Sequence, residues 1–340
     1  MTSMSGINKV VTRVQELLLK VGSGIGRVRA RPPGEVGKGL RVTADTVEAA
    51  DRQQPVGVDG YVRRPQARLT EGEKRPHWVV TAGDNVFAAT VHNKNWDLDQ
   101  SKELVGRLDD WLAATEGRKR IIIVEGRVPP VHAEVGMVID DDVLRNAFAT
   151  DRGECAAIAL KGKAAGIDPI SGEENEGRQF AELLRNHRPE HVLGYYVLRQ
   201  MPQGLAAQEK SGIDMAAYLD ETIDRFAPRM PEGTDARQAF ADLMVREYGR
   251  ADFTGEFHQK DERWLMQETN DPVVLGTRDS PVQEVSYECN QRRDTHYADL
   301  FQRKVDEGYA VFGQFGEIHY PDVKPYIPAL ENGSVEQIHP

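Results

Sequence analysis

Two short runs constrain this chain more than anything else in it. One is Asn85-Val86-Phe87-Ala88-Ala89-Thr90-Val91-His92-Asn93; the other runs from Tyr309 through Val311-Phe312-Gly313-Gln314-Phe315-Gly316 to Glu317-Ile318-His319. Each is short, apolar, and rich in β-branched and aromatic residues, and each stops at a histidine. That pattern predicts buried strands whose carboxyl ends deliver an imidazole. A third run, Arg120-Ile121-Ile122-Ile123-Val124-Glu125-Gly126, delivers a carboxylate in the same way. Open α/β sheets bind ligands in the crevice at the carboxyl ends of their strands. The expected fold is therefore an α/β domain: a central, mostly parallel sheet flanked by helices, with a site along one rim.

The helical signals between these runs fit that fold. Asp97 and Gln100 form a reciprocal capping pair before an apolar face of Leu98, Leu104, Val105, Leu108, Trp111 and Leu112. Gly117 ends this helix. A strand–helix–strand unit results, so strands 86–92 and 121–125 are expected to be parallel neighbours, with His92 and Glu125 side by side. Gly153-Glu154 opens an alanine-rich helix, Cys155 to Ala165, and Ile167–Ser171 reads as a short strand ending at Glu173 and Glu174. Helices are expected near Arg178–Asn186, at Met215–Phe226 behind Asp214, and at Ala236–Tyr248 behind Asp235. This stretch, about 177–250, reads as a helical insertion above the sheet. Residues 250–295 look irregular. Asp294 reads as the cap of a helix Thr295–Glu307, and the tail 331–340 as frayed.

Residues 1–76 differ from the 77–330 domain. In 1–39, seven Lys/Arg face two Glu, inside a protein of net charge −11. Met4, Ile7, Val11, Val14, Leu18 and Val21 recur by threes and fours, as in a basic amphipathic helix. The simplest reading packs this helix on the domain or a partner chain, as in a homo-oligomer; an organelle-targeting leader is the alternative. Gly22-Ser23-Gly24-Ile25-Gly26 follows a helix rather than a strand, the wrong context for a dinucleotide loop. A Pro/Gly-rich connector then leads to Pro76.

The acidic balance argues against nucleic acid as a partner. Two cysteines, Cys155 and Cys289, make neither a disulfide framework nor a thiolate cluster and suit a cytoplasmic setting. No run is long enough to span a membrane as a helix.

The candidate constellation is His92, Glu125, Glu154, Glu173, Arg293 and His319. Two imidazoles and one or two carboxylates can hold a divalent Zn, Mn or Fe; the metal ligands would be His92, Glu125, Glu154 and His319. The same groups without metal can activate water, with Arg293 holding an anion or a developing oxyanion. A lone strand-end histidine is as often structural as functional. Glu173 and Glu174 read equally as solvated turn residues, and Glu154 as a charge favoured by the helix dipole. No Gly-x-Ser-x-Gly elbow follows any strand, and Cys155 has no evident base partner.

The order of these motifs resembles a known superfamily. Val91-His92-Asn93, Val124-Glu125-Gly126, Gly153-Glu154, Arg293-Asp294, and then Val311-Phe312 and Gly316-Glu317-Ile318-His319 are similar to the strand-end motifs of TraB/TIKI-type proteins, ChaN-like haem-binding proteins and erythromycin-esterase-like enzymes. The match covers roughly residues 78–330. Ala89-Thr90-Val91-His92 lacks the family's glycine, and Glu317 stands where small residues are usual. The resemblance implies a cleft of His92, Glu125 and His319 helped by Arg293. Its members range from metal-dependent peptidases through metal-free esterases to haem binders, so fold kinship leaves the chemistry open. The expectation is a hydrolase acting on a small molecule or peptide, with or without a divalent metal. A haem- or metal-binding protein without catalysis is the alternative, and an interaction protein acting through the N-terminal helix a third.

Overall fold

The computed structural model describes residues 77–338, apart from 151 and 251–256. The N-terminal helix and the connector expected within 1–76 lie outside the described residues.

Six strands form one sheet: β1 (His77–Ala82), β2 (Asn85–Thr90), β3 (Arg120–Val124), β4 (Ile170–Ser171), β5 (Ala310–Gly316) and β6 (Ser334–Ile338). Their order is β4-β3-β5-β2-β1-β6. β1 and β2 form an antiparallel hairpin, and β6 pairs antiparallel with β1. β2, β5, β3 and β4 run parallel. The carboxyl ends that carry His92, His319, Glu125 and Glu173 therefore meet at one rim.

Strand alternation sorts side chains onto two apolar faces. Val86, Ala88, Ile122, Val124 and Phe312 pack against α1 (Asp99–Ala114) through Leu104, Leu108 and Trp111. They also meet Ile158 of the alanine-rich helix, which follows α2 (Asp141–Phe148) and is α3 (Gly153–Ala164). Phe87, Ala89, Ile123, Val311 and Phe315 face the opposite side.

Above the rim sits a separate helical core. It is built from α4 (Glu176–Asn186), α5 (Pro189–Leu198), α6 (Met201–Ser211), α7 (Met215–Phe226) and α8 (Ala236–Tyr248), followed by α9 (Glu262–Thr269) and α10 (Asp271–Leu275). α7 and α8 start behind the Asp214 and Asp235 caps, each accepting from two backbone N–H groups. No helix among the described residues is long and apolar enough to cross a membrane.

Several expectations are corrected. β5 lies between β2 and β3, so these are not neighbours, although their ends stay on one rim. Asp97 does not cap α1, whose N-cap is Leu98 with no side-chain bond. The tail is not frayed: Ser334–Thr81 and Ile338–His77 bound a register that adds an edge strand. Residues 250–295 are mostly helical where described, and α11 (Pro281–Asp306) is a single helix of 26 residues. Asp294 lies inside α11 and caps nothing. Charged residues interrupt the apolar period of α11, because its first half packs in the helical core (Val282, Val285, Cys289) and its second half on the sheet (Tyr297, Phe301). A helix of this length spans about 39 Å and joins the two cores. Asn290, Arg293 and Asp294 fall at the junction.

Candidate active site

Both histidines are held the same way. His92 stands two residues beyond β2, and its Nδ1 lies 2.5 Å from Oε1 of Glu154. Glu154 is 1% exposed in the first turn of α3. It also accepts from the Thr90 hydroxyl (3.3 Å), the Asn93 backbone N–H (3.3 Å) and the Gln314 amide (3.5 Å). His319 ends a short 3-10 turn after β5, and its Nδ1 lies 2.5 Å from Oδ1 of Asp294. Both partners are buried, His319 at 2% and Asp294 at 0%. A carboxylate on Nδ1 fixes each imidazole's orientation; in His319 it leaves Nε2 for chemistry, whereas His92 Nε2 meets a second acid.

Gly316 is where the remaining groups converge. A Cβ built there would stand 3.1 Å from Glu125 Oε2, 3.3 Å from His92 Nε2 and 3.4 Å from His319 Cδ2. Glycine thus lets the three side chains crowd one point of backbone. Glu125 Oε2 lies 3.1 Å from His92 Nε2 as an ion contact, yet has no aligned hydrogen bond. Glu125 Oε1 accepts from Arg293 at 2.8 Å. Arg293 also donates to Glu173 and, at 3.1 Å, to Asn290; its Nε–H is buried without a hydrogen-bond partner. These groups line a cavity of about 190 Å³, roofed by Tyr195 and Arg199 at the end of α5 and by Asn270 and Val273 near α10.

The electrostatics of the site centre on His92. Burial works against the charged form of His92, but Glu125 and Glu154 outweigh it and push its pKa up to about 11. At neutral pH His92 is an imidazolium, although its 56% exposed side chain screens part of that attraction. Burial would raise the Glu125 carboxyl; His92, Arg293 and His319 together hold it well below the usual range. Arg293 is raised well above its ordinary value, since Glu173 and Glu125 override its burial.

Linkage gives a test. The raised pKa of His92 contributes stability in full below pH 6.5, and that contribution is lost as pH rises through about 11. The depressed Glu125 carboxyl contributes in full above pH 4.5 and loses its share as pH falls below that value. The stability gap between wild type and His92→Gln should therefore narrow as urea melts move from pH 6.5 to pH 10. A constant gap across that range would contradict the charge state assigned to His92.

His92, Glu125, Arg293 and His319 all line the cavity. Glu154 and Glu173 stand behind it as partners of His92 and Arg293. Glu154 is a first-turn charge of α3 and also holds His92; Glu173 is a partly exposed turn residue that also holds Arg293. Glu174 is turned away and pairs with Arg292. Cys155 is buried beside Gln314, and burial, reinforced by Glu154, pushes its thiol far up. That suits packing rather than attack.

Five contributors were not assigned to the site from sequence. Asp294 follows Arg293 directly, but its role needs the turn that brings His319 to α11. Gln314 alternates inward on a buried strand, a polar residue among apolar ones, which was a usable signal. His77 is fully buried at the start of β1, where burial lowers its pKa despite nearby Glu154. Tyr195 and Arg199 reach the cavity only through helix packing.

Comparison of the chain with protein-family models, with curated proteins and with solved structures returns no match.

Proposed function

We propose that this protein is a hydrolase in which His319, oriented by Asp294, acts as general base on a water molecule. The observation that carries the reading is the 2.5 Å contact between His319 Nδ1 and a fully buried Asp294. It leaves the opposite edge of the ring toward the point where His92 and Glu125 converge.

In this reading His319 Nε2 takes a proton from water as the water oxygen attacks a carbonyl carbon. Asp294 stabilises the imidazolium that forms. The cationic His92 and Arg293 stand where the oxyanion develops, in a partly water-excluded cavity that strengthens their effect. Collapse of the intermediate breaks the bond to the leaving group, which takes the proton back from His319. Ester and amide substrates both fit this scheme, whether small molecule or peptide.

A metal-held centre is the second reading. It would use Nε2 of His92 and His319 with Glu125, and the carboxylate behind each ring favours it, because metal-bound imidazoles commonly have such partners. The fit is poor as the side chains stand. Among the described residues no group of three His, Cys, Asp or Glu side chains is placed to hold a metal, and His92 would first have to lose its proton. A cavity of about 190 Å³ is also below the roughly 300–1,000 Å³ of sites for drug-sized ligands, too small to enclose haem. Hydrolysis of 4-nitrophenyl acetate should therefore survive overnight dialysis against EDTA. Stoichiometric metal by elemental analysis, with activity lost on chelation, would favour the metal instead.

A further inference from the structure

We propose that Arg199 is an anion-recognition residue, and that the molecule entering this cavity carries a carboxylate or phosphate group beside the reacting centre. This rests on the hydrolase reading for the reaction, but not for the binding. Most cations of the cavity wall are matched by acids. Arg293 is neutralised by Glu125 and Glu173. His92 lies between Glu125 and Glu154, and His319 lies on Asp294. Arg199 differs. Its hydrogen bond is a long one, 3.4 Å from Nη1 to the Tyr195 hydroxyl. No carboxylate among the described residues lies within ion-pair distance of it, although Glu317 belongs to the same wall.

A half-buried guanidinium without an anionic partner is costly, and it offers a planar, bidentate fork suited to carboxylate and phosphate oxygens. Tyr195 supports the same role. Its ring is 1% exposed, and burial raises its phenol well above the ordinary value, so the hydroxyl stays neutral and supplies no negative charge to Arg199. The placement also fits. Arg199 follows α5 on the helical side of the cavity, whereas His92, Glu125 and His319 come from the sheet rim. A substrate bridging the two would put its anion under the helices and its scissile bond over the strand ends. The small cavity volume suits a compact anionic end group rather than a bulky one.

The test uses the full chain, as wild type, Arg199→Gln and Arg199→Lys. Titration calorimetry with succinate and with inorganic phosphate measures anion binding directly. Loss of one charged hydrogen-bonding partner should weaken binding about 10- to 100-fold in Arg199→Gln, with partial recovery in Arg199→Lys. Whichever probe shows the larger loss identifies carboxylate or phosphate as the preferred group. Kinetics then compare 4-nitrophenyl acetate with the 4-nitrophenyl monoester of succinate. Wild type should favour the anionic ester in kcat/KM, and Arg199→Gln should lose that preference. Equal anion affinity in wild type and Arg199→Gln, or no wild-type binding at millimolar anion, would overturn the assignment. Anion binding that depends on Arg199, without turnover of either ester, would uphold it and count against the hydrolase reading.

Discussion

His319→Ala is expected to lower ester turnover by about 10²- to 10⁴-fold, the range for losing a positioned general base. It should also destabilise the fold. Asp294 is fully buried, and removing the imidazole takes a partner from its carboxylate, at a cost of about 1.5–3 kcal/mol. The two effects can be separated. In the double variant His319→Ala/Asp294→Asn the buried charge is gone, so much of the lost stability should return while turnover stays lost. Asp294→Asn alone should retain some activity, because the ring keeps a hydrogen-bonding neighbour but not the charge that stabilises its protonated form. Steady-state kinetics with thermal melts on the three variants decide the matter. Turnover that persists in His319→Ala would remove this histidine from the reaction.

The second large effect is expected at Gly153, behind the cavity wall. Its φ is +47°, and an added Cβ would stand 2.2 Å from the backbone carbonyl oxygen of Asn93. Backbone cannot move aside as a flexible side chain can. Gly153→Ala thus combines a left-handed conformation, costing roughly 1 kcal/mol or more, with overpacking of about 1–3 kcal/mol. For a domain of this size a total of about 2–4 kcal/mol lowers Tm by roughly 4–16 °C. The damage should also reach the site, because Glu154 is the next residue. Pushing α3 away from Asn93 loosens the contact with His92 Nδ1 and the bond from the Asn93 N–H. Gly117→Ala is the control: φ is +75°, but nothing lies within 4 Å of the added Cβ. It should cost only the backbone strain and leave turnover unchanged. Similar Tm losses in the two variants would show that contact with Asn93 contributes little.

The strand-end residues were legible because their signal is local. A buried parallel strand reads as an apolar run, and the residue that breaks the run marks the rim. Asp214 and Asp235 were legible as caps because a cap acts within three residues of itself. The helix α11 was not. Its buried stripe carries Asn290, Arg293 and Asp294 at the junction of the two cores, so the apolar pattern breaks there, and Asp294 looked like a start signal. The short helix α5 was missed for a different reason. Nearly every residue of α5 from His191 to Leu198 is buried, so it lacks the polar face that makes a helix visible.

Chain order alone determined that His92, Glu125 and His319 would leave three strands at their carboxyl ends, since apolar periodicity and strand direction are properties of short segments. The insertion of β5 between β2 and β3 was decided only in three dimensions. So were the seating of Asp294 behind His319, the sandwiching of His92 between two acids, and the exposure of Arg199 to the same cavity. Each depends on groups tens to hundreds of residues apart, as with His319 and Asp294 at a separation of 25 and Arg293 and Glu125 at 168. Such pairings follow from which faces pack together, and desolvation then sets their charge.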